Sequence, residues 1–174
     1  MELSGTSYVV LGMVRLGKRT GYEIKQMVDK STRFFWAASY GQIYPELKRL
    51  EEAGLIRGES EPQGGRQRRA FELTPEGEKA LDDWVATPDV SVSESRDLAL
   101  LKLFFACGVA PEDAAALARA AGERHAGVVA ALEGVQAGGP GGMPAVVLDF
   151  GLDFHRWCVQ RYAQMEQDLL SEEN

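Results

Sequence analysis

The run Ser39-Tyr40-Gly41-Gln42-Ile43-Tyr44-Pro45-Glu46-Leu47-Lys48-Arg49-Leu50 constrains the fold more than any other stretch of this chain. Ser39 and Gln42 have the spacing of a capping box, in which each side chain satisfies a backbone N–H that the first helical turn leaves unbonded. Ile43, Leu47 and Leu50 follow at i, i+4 and i+7 and form one apolar stripe. Past Ala53, Gly54 supplies the left-handed conformation that would bring Leu55 against Leu50 in a Schellman ending. The spacing therefore predicts a helix from Ser39 to Ala53, specified at both ends, with an exposed Tyr40, Gln42, Tyr44, Lys48 face. Pro45 removes the bond to the Gly41 carbonyl, so this helix either starts late or bends there.

The neighbouring segments give the helix its context. Tyr8, Val9, Leu11, Met13, Val14 and Leu16 predict a first helix after Ser4, stopped by the turn Gly17 to Arg19. Thr20-Gly21-Tyr22-Glu23 is a capping box opening a second helix that ends near Lys30, followed by a connecting aromatic cluster, Phe34-Phe35-Trp36. After the third helix, Leu55 to Glu61 and Arg68 to Leu73 read as strands joined by a Gly-rich turn, Pro62 to Gln67. Thr74-Pro75 then caps a fourth helix running to Trp84. Three helices followed by a hairpin make a winged helix-turn-helix, whose second paired helix lays its N-terminal residues on base edges in the major groove. Gln42 is the candidate base reader, because an amide pairs bidentately with adenine. Tyr40, Tyr44, Lys48 and Arg49 are further groove or phosphate candidates, and the wing residues Arg66, Gln67, Arg68 and Arg69 suit a phosphate backbone or minor groove.

Charge supports that division. The chain's net charge is −7, but residues 15–69 carry twelve basic and seven acidic side chains, a balance of +5. From Ala86 onward six basic residues face thirteen acidic ones, which gives −7. The two halves face different partners. Thr87-Pro88-Asp89-Val90-Ser91 marks the boundary between a winged helix-turn-helix domain at 1–86 and a helical domain at 91–174.

The second half reads as three helices. Leu98, Leu101 and Phe105 form one stripe of the first and Leu100, Leu103 and Phe104 cover much of the rest, so it is expected to be buried on several sides. Pro111 opens a long second helix, broken by Gly138 to Gly142. The last, Asp149 to Leu170, has two apolar seams: Leu152, Val159, Tyr162 and Leu169, then Phe150, Phe154, Trp157 and Met165. Two seams exceed what a small monomer needs, and a second copy of the chain is the simplest partner.

The run FFWAASYGQIYPELKRLEEAGLI, followed by GGRQRRAFELTPEGEKAL and preceded by GYEIKQMV, resembles the PadR family of bacterial transcriptional regulators over Tyr8 to Leu81. The resemblance implies a mainly α protein, a winged helix-turn-helix of three helices plus a two-stranded wing followed by a helical dimerisation domain. It also implies a homodimer, usually a repressor, that binds double-stranded DNA at a palindromic operator and is released by a small effector. Phe34, Phe35 and Trp36 are expected to pack in the core under the helix-turn-helix and Trp157 at the dimer interface, with contact to an aromatic effector as the alternative for all four. A winged helix that binds protein rather than DNA is the competing function.

Other classes find little support. No Gly-rich phosphate loop or Gly-x-Ser-x-Gly elbow is present, so neither an enzyme nor a cofactor is expected. His155 and Cys158 at i, i+3 are too few for a metal site. The acidic N-terminus lacks a secretory pattern, no apolar run reaches a membrane span, and Cys107 and Cys158 read as free thiols; a cytoplasmic protein is expected.

Overall fold

The computed structural model describes residues 2–63, 66–88, 96–139 and 141–171, with only the backbone path at 61–63 and 66–68. The Gly64-Gly65 tip, part of the Thr87–Ser91 boundary and Pro140 lie outside the described residues. The chain divides into two compact units, Met1–Ser91 and Val92–Asn174.

The first unit contains α1 (Gly5–Arg15), α2 (Gly21–Lys30), a 3-10 turn at Thr32–Phe34, α3 (Tyr40–Glu52), strands β1 (Ile56–Gln63) and β2 (Arg66–Leu73), and α4 (Pro75–Ala86). Its helix starts follow local side-chain chemistry. Ser4 and Ser7 close a capping box on α1, the Ser4 hydroxyl accepting from Ser7 N–H at 3.2 Å and Ser7 Oγ accepting from Ser4 N–H at 2.8 Å. Thr20 and Glu23 do the same for α2. At the end of α3, Leu55 N–H donates to Leu50 C=O and Gly54 N–H to Glu51 C=O, both at 2.9 Å, with Gly54 at φ 73°. That is the Schellman pattern expected there.

The core of this unit is Val10, Leu11, Ile24, Val28, Ile43, Leu47, Leu50, Ile56, Phe71 and Leu81, contributed by every helix and both strands. Each large aliphatic side chain so buried contributes about 1.5–3 kcal/mol. The strands pair antiparallel from Ile56↔Leu73 to Gln63↔Arg66, so each runs two residues further toward the tip than the sequence suggested. Pro62 sits opposite Gln67 in a sheet that has only edge strands, where a missing N–H is tolerated. The helix α4 docks its first turn on the backbone before β1: Thr74 Oγ1 donates to Gly54 C=O at 2.7 Å and accepts from Gly77 N–H at 3.1 Å. A Cβ built on Gly77 would lie 1.9 Å from the Leu55 carbonyl oxygen, so this approach requires glycine.

The second unit comprises α5 (Leu98–Phe104), α6 (Pro111–Ala137) and α7 (Met143–Ser171). The last helix begins six residues before its expected start at Asp149. Ala118 and Ala121 of α6 pack against Cys158 and Tyr162 of α7, with Ala99 and Leu103 alongside. Polar ties flank the apolar contact, Arg119 to Glu166 at 2.6 Å and Arg156 to Glu133 at 2.8 Å. The expectation that α5 is buried on several sides fails: no α5 residue is buried, and Phe104 and Phe105 are 81% and 70% exposed. Its seven residues have one face turned to α6 and α7, which leaves the other apolar faces without cover from the described residues of this unit.

Candidate nucleic-acid interface

The helix α3 follows α1 and α2 and directly precedes the β1–β2 hairpin, so the recognition position and the wing lie in one unit. Pro45 is inside α3 and does not delay its start, since Tyr40 is already helical. At about 100° per residue, Tyr40, Tyr44 and Lys48 fall on one flank and outer edge of α3. Gln42 lies roughly 160° around from both tyrosines, on the flank that carries Glu46 and Arg49. The single exposed face expected from the sequence is therefore two faces, separated by the buried Ile43, Leu47, Leu50 stripe on one side and by Pro45 on the other.

On the first flank the Tyr40 and Tyr44 rings stack with centroids 6.1 Å apart, and both are about half exposed. Lys25 of α2 places its ammonium 5.7 Å from the Tyr40 ring centroid. Tyr44 lies over Gly21, where a Cβ would come within 2.7 Å of the ring. This pair of approaches positions the tyrosines against the start of α2. Lys48 is strongly exposed and has only a loose 3.7 Å pairing with Glu52, worth little in water.

The second flank is more tightly bonded. The Gln42 carboxamide oxygen accepts from Ser39 N–H at 2.9 Å and from the Ser39 hydroxyl at 3.0 Å. The candidate base reader is thus also a cap, with its amide N–H group still available. Arg49 is turned inward, donating to Ser7 Oγ at 2.8 Å and to Glu46 Oε1 at 2.7 Å. In the wing, Arg69 is held by Glu51 at 2.5 Å, and the same carboxylate oxygen accepts from Gly58 N–H at 3.1 Å. Arg66 and Arg68 stand in β2 opposite Gln63 and Glu61 of β1, and Arg69 shares a strand face with Phe71. Arg49 and Arg69 are therefore engaged within the fold. Sequence reasoning missed Ser7, Glu46 and Lys25; the Ser4-x-x-Ser7 spacing and the Glu46/Arg49 i, i+3 pair were the available signals.

The aromatic candidates divide. Phe34 is half-buried, but Phe35 and Trp36 are exposed, which corrects the expectation of core packing for those two. The 3-10 turn after α2 turns them outward, and the Trp36 ring lies over Gly5, where a Cβ would meet it at 2.2 Å. In the second unit Trp157, Phe154 and Phe150 are exposed on α7, while Leu152 and Tyr162 of the other seam are buried.

Within that unit, His125 and His155 bring their Nδ1 atoms to 2.8 Å, and the His125 ring stacks on Tyr162 at 5.6 Å. Tyr162 donates its hydroxyl to Asp97 Oδ2 at 2.9 Å, while Asp97 Oδ1 caps α5. Burial pulls both imidazoles below the usual histidine range, His155 further through the neighbouring His125. Burial and the bond to Asp97 push the Tyr162 phenol up to about 12. Among the described residues no three His, Cys, Asp or Glu side chains gather as a metal would require. No helix among them is long and apolar enough to cross a membrane.

Comparison with known proteins agrees with this geometry. Residues 10–83 match the model of the transcriptional regulator PadR-like family. The negative transcriptional regulator PadR of Bacillus subtilis is 32% identical over 111 residues, covering 63% of this chain. The matched region spans 61% of that relative's length. Among solved structures, B. subtilis PadR in complex with operator DNA superposes with a TM-score of 0.85 at 24% identity, over 94% of this chain and 98% of that one. The same protein in complex with p-coumaric acid superposes with a TM-score of 0.77 at 24% identity, over 94% and 97%. At that identity the structural likeness establishes a shared fold.

Proposed function

We propose that this chain, whose residues 10–83 match the PadR-like family of transcriptional regulators, is a regulator of that kind rather than an enzyme: a cytoplasmic repressor that binds an inverted-repeat operator as a homodimer and is released by a small aromatic effector. One observation carries the DNA part of the reading: α3, capped at Ser39 and closed at Gly54, leads directly into the β1–β2 hairpin, in a segment of net charge +5. In this reading Gln42, at the N-terminal end of α3, reads a base edge, while Tyr40, Tyr44 and Lys48 line the groove wall. Arg66, Gln67 and Arg68 follow the phosphate backbone or minor groove. Arg49 and Arg69 support α3 and the wing through Glu46 and Glu51.

Homodimerisation through the second unit is supported by the exposed apolar residues of α5 and α7. A symmetric dimer would set two α3 helices about one DNA turn apart, which demands an inverted repeat. Support for an aromatic effector comes from the B. subtilis relative bound to p-coumaric acid, from the exposed rings of Phe35 and Trp36 after half-buried Phe34 in the first unit and, separately, from the exposed ring of Trp157 in the second. Binding would change the spacing of the α3 helices and so weaken operator affinity.

The test is binding of the full chain to the intergenic DNA beside its own coding region, across a salt series, with p-coumaric acid added as the probe for release. Saturable binding in excess of that to random DNA, with a steep salt slope, is expected. Equal affinity for both DNAs would overturn the DNA-reading role and favour the protein-interaction function instead.

A further inference from the structure

A polar cluster between α1 and α3 deepens the DNA-binding reading and rests on it. Ser7 is fully buried, and its hydroxyl oxygen is a hub. It accepts from Ser4 N–H at 2.8 Å and from Arg49 Nη2 at 2.8 Å, lies 3.0 Å from Ser4 Oγ, and donates to Glu46 Oε1 at 2.6 Å. The same Glu46 oxygen accepts from Arg49 Nη2 at 2.7 Å and Nε at 3.2 Å. A serine that completes the cap of α1 thus also ties two residues of α3.

The apolar contact between these helices is non-directional: Val10 and Leu11 against Ile43, Leu47 and Leu50 tolerate small rolls of α3 about its axis. Hydrogen bonds to charged groups weaken steeply with misalignment, so the Ser7–Glu46–Arg49 set fixes the roll that the apolar contact leaves free. Gln42, Glu46 and Arg49 stand at i, i+4 and i+7, on one flank of α3. A roll at the N-terminal half of α3 therefore moves Gln42 through the groove, while the wing stays tied to the C-terminal end of the helix, where Glu51 accepts from Gly58 N–H and Arg69. The geometry points to Ser7, Glu46 and Arg49 as positioning residues for base reading: they set the angle from which Gln42 meets its base pair, without touching DNA.

The test uses the full-length protein and a 30-base-pair duplex that the wild-type protein itself selects from a random-sequence library. Ser7→Ala removes the hub. Expected is at least about a tenfold loss of affinity for the selected duplex, with discrimination against single base-pair variants compressed most at the positions Gln42→Ala also affects. Affinity for random DNA and the salt slope remain those of wild type, and Ser7→Thr, which keeps the hydroxyl, restores discrimination. Should Ser7→Ala or Ser7→Thr fail to fold, Glu46→Gln and Arg49→Lys, both on the partly exposed side of the cluster, are read in the same way. A folded variant with an unchanged discrimination profile overturns the proposal, as does an equal loss for selected and random DNA. If the wild-type protein selects no consensus, the DNA-binding reading itself fails, and this one with it.

Discussion

Gln42 is asked to do two things with one amide. Its oxygen caps α3 through Ser39, and its N–H group is the part left for a partner. A bidentate contact with adenine uses both ends of the amide, so engaging DNA in that way requires the cap bond to be exchanged for a base bond. Gln42→Ala is expected to relax preference at one operator position by about 1–3 kcal/mol, read by competition with single base-pair variants. An unaltered preference at every position would leave it a cap and nothing more. Stability has a separate probe: Leu50→Ala, which removes a fully buried side chain of the apolar stripe, should cost about 2–5 kcal/mol in chemical denaturation. At this scale the sequence was legible wherever the cause is local. Caps at Thr20 and Thr74 and the Schellman turn at Gly54 depend on neighbours within a few positions. The fate of Arg49 was not legible, because its partner Ser7 is 42 residues away.

Elements were legible in kind and less so in extent. The hairpin was evident from its composition, yet Pro62 and Gln63 were read as turn, because a proline near glycines signals a break and says nothing about register. If the wing follows the phosphate backbone, Arg66→Ala/Arg68→Ala should weaken binding to all sequences and reduce the salt slope by roughly one unit per lost phosphate contact. A wild-type slope would show that the wing stands clear of the backbone. The α6–α7 pair carries its own pH dependence. Both His125 and His155 have folded pKa values lowered by burial, so the unfolded chain takes up protons first as pH falls. Their contribution to stability is complete above the ordinary histidine pKa and is lost as pH drops through it toward the depressed folded values. Double protonation would also set two like charges at the 2.8 Å Nδ1 contact. His125→Gln/His155→Gln should flatten the acid limb of the melting temperature between about pH 7 and pH 5, relative to wild type; an equally steep limb would assign it to other groups.

For the whole molecule, the apolar residues without cover matter more than the core. Phe104 and Phe150 are 81% and 72% exposed, large rings that a soluble chain seldom leaves in water unless something is to cover them. Phe104→Glu/Phe150→Glu should convert a dimer to a monomer in sedimentation velocity, with operator affinity falling because the two half-sites are then bound singly. A double variant that sediments as the dimer would move the interface elsewhere. The sequence announced too much apolar surface for one chain and placed a seam of it on α7, where Phe150, Phe154 and Trp157 are exposed, but it missed α5: that helix was expected inside, since its apolar residues encircle it, and periodicity cannot say whether the cover comes from the same chain. Among the described glycines of the first unit, the tightest approach is at Gly77, whose missing side chain admits the Leu55 carbonyl. A saturation library would record that contact as a blank column, nineteen alternatives lost at position 77 between tolerant glutamates at 76 and 78. The depth of that blank, relative to the neighbouring columns, would measure how far the start of α4, the end of α3 and the wing survive or fail together.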